Sequence, residues 1–373
     1  MHICVLATTL DVYKGGNHLP LFAALPEISF TILTQRVIPQ SAPLPPNVQV
    51  ELLPRRSGPY YYGIADWRFA RNVLGTYPPE HAFWKQFDLI HLNQTLHPSL
   101  LRLEQSGRSV LYAVHHPVSA DREVSLQEST LFPRLLWWMR YAPLIHCQRK
   151  TCRNAQHIMT VSATVVDRLC RDYSCDREKI TVVPNGVDGE LFTLGDQEPE
   201  FDACAVGSFL HPRKGFPYLL ETYRGLAAAG KRIADIGKRS AEQRRQLAEI
   251  PGVTIFGTVD QMTIISLMQR SAVLLSTSLY EGFGLSLIEA LACGRPAFAF
   301  DGGAVGEVLR VIDPVLVIPL RSVNILIDRA LWYIHLSPEE SRRRGTNYRQ
   351  SVLHLYSLKK SADTLARLYT SLH

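Results

Sequence analysis

With 373 residues, the chain has room for two domains of ordinary size, each with its own core. Apolar residues make up 46% and charged residues 20%, the balance of a soluble globular protein rather than a disordered or membrane-spanning one. Forty Lys and Arg against 34 Asp and Glu leave a net charge of +6, which suits a small anionic partner or an acidic membrane surface, and no nucleic-acid-binding motif accompanies it.

The start carries no basic segment followed by a long apolar core, so it reads as a first strand and not as a signal peptide. No apolar run is long enough to span a bilayer. The seven cysteines, at 4, 147, 152, 170, 175, 204 and 293, contain no C-x-x-C. They read as reduced thiols of a cytoplasmic protein.

Strands and helices alternate along the chain. His2 to Thr8 is an apolar strand, followed by Gly15 and Gly16 and a helical segment to about Leu25. Ile28 to Thr34 and Val48 to Leu53 are further strands. Arg55 to Tyr62 is a basic, aromatic turn, either an acceptor-cleft lining or a plain surface loop. Strands at Phe87 to Asn93 and Val110 to Val114 follow; the second delivers His115, His116 and Pro117 to its C-terminal end, where ligands of open α/β sheets bind. Asp121 and Arg122 fall in the same predicted loop.

Residues 131–150 combine Leu, Phe and Trp with Arg134, Arg140, Arg149 and Lys150. Two readings are open: an interfacial membrane patch, or a helix packed in the N-terminal domain. Pro133 and Pro143 predict one short helix between them. A strand at His157, a helix capped by Ser162, and a turn at Asn185 and Gly186 close the first half. Thr193 to Pro199 is polar, as a linker is.

A second α/β unit opens with a strand from Phe201 to Val206, and Arg213, Lys214 and Gly215 begin a helix. Strands at Ile233 to Gly237 and Val253 to Phe256 alternate with helices near Ala241 to Ala248 and from Gln261. A further strand at Pro296 to Phe300 leads into Asp301 to Glu307, and two or three helices follow Ile318.

The most informative stretch is Ser276 to Pro296. A buried strand ends at Ser276, a loop carries Gly282 and Gly284, and Ser286 with Glu289 reads as a capping box. Gly294 and Pro296 stop the helix. A glycine loop entering a helix presents bare N–H groups and positive potential to an anion. Two carboxylates at the same place, Glu281 and Glu289, accept hydrogen bonds from hydroxyls. Phosphate-binding amides beside hydroxyl-binding carboxylates fit a nucleotide sugar.

The E-x(7)-E of Glu281 and Glu289, set in E-G-F-G-L-S-L-I-E-A-L-A-C-G-R-P, resembles the donor-site signature of retaining GT-B glycosyltransferases, in particular family 4 (glycosyl transferase group 1). The T-V-S and V-V-P-N-G-V-D segments resemble the end of the first domain of that fold, and Gly302, Gly303 and Glu307 approximate its G-G-x-x-E element. The resemblance implies two Rossmann-like domains facing across a cleft, with a C-terminal helix crossing back to the first. The corresponding division is 1–190 with 358–373 for the acceptor and 191–357 for the donor.

The resemblance also implies roles. Glu281 contacts the donor sugar and Glu289 the ribose hydroxyls. Gly282, the Phe283, Gly284 and Leu285 backbone, and Ser286 meet the sugar and diphosphate. Gly15, Gly16, Arg213 and Lys214 lie toward the diphosphate. His115, with His116 as the alternative, lies near the reacting centre. Family 4 carries G-R where this chain has Gly207-Ser208, so the Arg is absent and Arg213 is the neighbouring replacement.

The implied reaction is retaining transfer of a hexose-type sugar from a UDP- or GDP-linked donor to a glycan, lipid or small-molecule hydroxyl. No D-x-D occurs, so no metal is expected. The competing readings are a GT-B sugar-nucleotide epimerase and a non-catalytic donor-binding subunit. The expected location is cytoplasmic, with peripheral contact at the membrane face through 131–150.

Overall fold

The computed structural model describes residues 1–10, 19–38, 44–53, 64–93, 97–195 and 198–373. Gly15, Gly16 and the turn at Arg55 to Tyr62 lie outside the described residues. The chain divides into two compact units, Met1–Gly186 with Leu358–His373, and Val187–Ser357. The first division falls at Gly186, ahead of the expected 190.

Seven strands build the first unit: β1 (His2–Leu6), β2 (Ser29–Thr34), β3 (Val48–Leu52), β4 (Leu89–Asn93), β5 (Ser109–Val114), β6 (His157–Thr160) and β7 (Ile180–Val182). They pair in parallel in the order β3-β2-β1-β4-β5-β6-β7. Covered on both faces, such strands must be apolar throughout, and Val110 to Val114 are all buried. The last helix, Leu358–Leu372, belongs to this unit. It brings Ala362, Leu365 and Tyr369 into a core shared with Phe22, Phe30 and Leu89. Tyr369 also shares a 2.7 Å hydrogen bond with Nδ1 of buried His91.

The second unit holds β8 (Phe201–Val206), β9 (Ile233–Ile236), β10 (Val253–Gly257), β11 (Ser271–Ser276), β12 (Ala297–Phe300) and β13 (Val317–Ile318). The order β10-β9-β8-β11-β12-β13 is again parallel. Its direction reverses between β8 and β11. The C-terminal ends of those two strands flank this reversal, the place where doubly wound sheets bind ligands.

Three local expectations are corrected. The segment at 131–150 belongs to one 24-residue helix, Leu131–Asn154, that continues through Pro143. Pro133 sits in the first turn, where an N–H has no helical partner to lose. Beyond Pro143, buried Ile145, Gln148, Thr151 and Cys152 hold the helix together. Asp121 and Arg122 lie in the helix Val118–Gln127 and not in a loop. Arg213 and Lys214 occupy a separate 3₁₀ turn, Pro212–Lys214, and the helix proper begins at Phe216.

Candidate functional site

In the second unit, the segment after β11 is held on both sides. On one side, the Leu279 amide donates to the Arg213 carbonyl at 2.6 Å, and Thr277 Oγ1 reaches the Lys214 and Gly215 carbonyls at 3.2 and 3.1 Å. Gly215 has a φ of 67°, and a Cβ there would come within 2.1 Å of the Thr277 carbonyl oxygen. On the other side, the Glu281 amide donates to Gly302 O at 3.1 Å, and Ala304 N donates to Glu281 O at 2.9 Å. Gly303, at φ 67°, would place a Cβ 2.3 Å from the Glu281 oxygen. These glycines permit main chain to touch main chain, so the backbone of Glu281 is clamped between two loops.

Clamping aims the Glu281 side chain at the 3₁₀ turn after β8. Lys214 Nζ donates to Glu281 Oε1 at 2.5 Å. Arg213 Nη1 lies 3.5 Å from Glu281 Oε2 and donates to the Tyr280 carbonyl at 3.3 Å. All three side chains are largely buried, with 15–23% exposed. Burial pushes the Glu281 carboxyl up, but Lys214, Arg213 and the Ser278 hydroxyl outweigh it and bring it down to about 2. Glu281 is therefore an anion at any working pH and cannot serve as a proton donor. Ser208, at the position of the absent Arg, is exposed, while Arg213 sits on Glu281.

The helix Leu285–Ala292 starts two residues earlier than the capping-box reading requires, with its N-cap at 284 and not 286. Its N-cap is Gly284, at φ 95°, with no side-chain cap. Ser286 is thus inside the first turn and Glu289 inside the second, so neither caps the helix. The Ser-x-x-Glu pattern loses because Gly284 supplies the left-handed turn a side-chain residue resists. An uncapped start leaves first-turn amides without a side-chain acceptor. Gly282 and Phe283 are buried, and the Phe283 ring packs edge-on against Tyr356 at 5.4 Å. This leaves the backbone of Phe283 as its means of contact.

Glu289 is the opposite case to Glu281. It is partly buried, and burial raises its carboxyl to about 7, with no cation among the described residues offsetting the rise. A raised folded-state value makes the ionised form costly, so stability falls as pH climbs from about 4.5 through 7 and levels off above. Glu289→Gln removes that slope. Its thermal midpoint relative to wild type should improve between pH 5 and pH 8 by the equivalent of roughly 1–3 kcal/mol. Parallel wild-type and variant profiles would contradict this.

A buried cluster beside β8 had no place in the sequence reading. Arg239 Nη2 pairs with Asp235 Oδ1 at 2.6 Å, both side chains fully buried, and Tyr223 donates its hydroxyl to the same oxygen at 3.1 Å. Arg239 Nη1 donates to the Gly207 carbonyl at 2.6 Å, and its guanidinium covers the Phe209 ring at 4.3 Å. The pair thus fixes the loop that leads to Arg213 and Lys214. The available signal was an Asp inside an apolar strand with an Arg four residues later.

In the first unit, His115 and His116 leave β5 with different partners. His115 Nε2 lies 3.1 Å from Asn93 Oδ1, and burial with the nearby His116 lowers its value to about 4. It is a neutral imidazole at neutral pH. His116 Nε2 lies 2.7 Å from Asp121 Oδ2. Gln148 steadies the turn, taking the Val118 amide at 2.8 Å and donating to the His116 carbonyl at 3.2 Å. Among the described residues, no group of three or more His, Cys, Asp or Glu could hold a metal ion.

Comparison with known proteins adds the following. A family described as Glycosyltransferase Family 4 matches residues 29–191, and one described as Glycosyl transferases group 1 matches residues 200–335. The MMP alpha-(1->4)-mannosyltransferase of Mycolicibacterium hassiacum is 28% identical over 302 residues, covering 76% of this chain and 70% of that protein. The D-inositol 3-phosphate glycosyltransferase of Segniliparus rotundus is 29% identical over 320 residues, covering 78% and 67%. In fold, the chain is similar to sucrose-phosphate synthase from Thermosynechococcus elongatus, with a TM-score of 0.79, 20% identity, and 100% and 98% of the two chains covered. It is also similar to Anabaena HepE in complex with UDP and glucose, with a TM-score of 0.72, 16% identity and 99% of each chain covered.

Proposed function

We propose that this chain, which belongs to the family 4, group 1 glycosyltransferases of GT-B fold, moves a hexose-type sugar from a nucleotide-diphosphate sugar to a hydroxyl acceptor, with retained anomeric configuration and without a metal ion. The observation that carries the reading is the clamped Glu281, ionised beside Lys214 and Arg213, at the strand-order reversal of the second sheet.

The roles follow from the charges. Leaving of a sugar cation builds negative charge on the diphosphate, which fixed cations and amides stabilise. Lys214 and Arg213 would supply the cations, and the uncapped turn at Leu285 and Ser286 the amides. Two cations against one carboxylate leave this cluster a net positive charge for phosphate. Glu281, permanently anionic, would orient the sugar hydroxyls. Glu289 would accept from the ribose, so donor affinity weakens as pH falls below about 7. Neutral His115 would contact sugar or acceptor without acting as an acid. Gly15 and Gly16 would add amides toward the diphosphate. The UDP-glucose found in complex with HepE and the mannosyl transfer in the name of the Mycolicibacterium relative favour a UDP- or GDP-hexose.

The test incubates the purified chain with UDP- and GDP-hexoses and candidate hydroxyl acceptors. Nucleotide diphosphate release and the anomer of the product are read by NMR, with and without EDTA. The expected result is a product anomer matching the donor and rates unaffected by EDTA. An inverted product, or activity lost to EDTA and restored by Mn²⁺, overturns the mechanism. A donor epimer formed without acceptor overturns transfer itself.

A further inference from the structure

The helix Leu131–Asn154 has two unlike halves. Past Pro143, buried Ile145, Gln148, Thr151 and Cys152 hold it in the first unit. Before Pro143, Leu131, Phe132, Leu135, Leu136, Trp138 and Met139 are all exposed, Leu131 at 85% and Phe132 at 74%. At ~100° per residue, these six side chains fall within an arc of about 160°. Arg134 and Arg140 stand roughly 40° beyond its two edges. The Arg140 guanidinium lies 4.6 Å from the Trp137 ring, which in turn stacks on Tyr141 at 5.8 Å, so the face away from the apolar arc is the one tied down.

We infer that this projecting half-helix seats on an anionic membrane surface. Charge points to the occupant. No Asp or Glu occurs between Glu128 and Asp167, while Arg134, Arg140, Arg149, Lys150 and Arg153 all lie on the helix. An apolar arc edged by arginines, whose stems can lie along the acyl boundary while their heads reach phosphates, is the pattern of an interfacial helix. No helix among the described residues is long and apolar enough to cross a membrane, so the contact is lateral. A second copy of this chain fits poorly, because a two-fold contact would set like-charged arginines against each other without a carboxylate between them. The inference stands apart from the donor site and holds whatever sugar the chain transfers.

The experiment is co-sedimentation of the full chain with phosphatidylcholine vesicles containing about 30 mol % phosphatidylglycerol, at about 0.1 M salt. Wild type should bind these and bind pure phosphatidylcholine at least about tenfold less. Leu135→Ser with Trp138→Ser should lower binding by about tenfold or more while leaving the thermal midpoint unchanged, since both side chains are exposed. Arg134→Gln with Lys150→Gln should lower it about fivefold per cation. No wild-type binding to anionic vesicles, or equal binding by the serine variant, overturns the inference. So does a wild-type dimer in light scattering that the serine variant converts to monomer, which would make the occupant a second copy.

Discussion

Glu281→Gln is expected to lower sugar transfer by about 10²–10³-fold, the loss typical when one fixed electrostatic contact to a transition state is removed. The substitution keeps size and hydrogen-bonding reach but removes the charge that Lys214 and Arg213 hold near them. The backbone at 281 is fixed by Gly302 and Ala304 whatever the side chain is, so the fold should survive. The readouts are kcat/KM and the thermal midpoint. Lys214→Met should give a loss of similar size, and the double variant should lose much less than the product of the two, because the residues are in direct contact. A Glu281→Gln enzyme retaining more than about a tenth of wild-type activity would remove this carboxylate from the proposed chemistry. Because the Glu281 carboxyl lies at about 2, no acidic limb in the pH–rate profile above about pH 3 should come from it.

Arg239→Ala is expected to destabilise the second unit by about 3–5 kcal/mol. It strips the partner from Asp235, whose side chain is fully buried, and takes the Gly207 carbonyl's donor as well. For a unit of this size, that corresponds to a fall in thermal midpoint on the order of 10 °C. Asp235→Asn should cost less, since the amide oxygen still accepts from Arg239, whose guanidinium keeps the Gly207 and Lys238 carbonyls and the Phe209 ring. A joint replacement, Asp235→Leu with Arg239→Met, should recover most of the loss, as apolar substitutes for buried ion pairs often do. A drop of only a degree or two for Arg239→Ala would mean water reaches the pair.

Apolar strands alternating with helices made two doubly wound sheets legible, because a parallel strand covered on both faces has to be apolar along its length. Glu281 was legible for a related reason: a strand, a glycine loop and a helix in succession leave little freedom for what lies between. The start of the helix after it was not, because Ser286 and Glu289 satisfy a capping pattern while Gly284 satisfies a competing one, and only backbone geometry decides. The ion pair of Glu281 with Lys214 bridges 67 positions, a separation at which local periodicity carries no information. Asp235 and Arg239 were within reach. An acid placed inside an apolar strand must find a partner, and four residues on was the place to look. The helix through Pro143 defeated a sound local rule, because side chains further along pack firmly enough to carry the chain past the missing amide.

The helix at 358–372 finishes the interior of a unit whose strands all precede Val187. On the ribosome, the earlier-made portion must therefore wait, its apolar face open, until the whole intervening unit has been synthesised. That intervening unit is continuous in the chain and free to mature first. The later-numbered half thus has the head start, and chains stalled at Ser357 should be digested by protease within 1–186 while 187–357 resists.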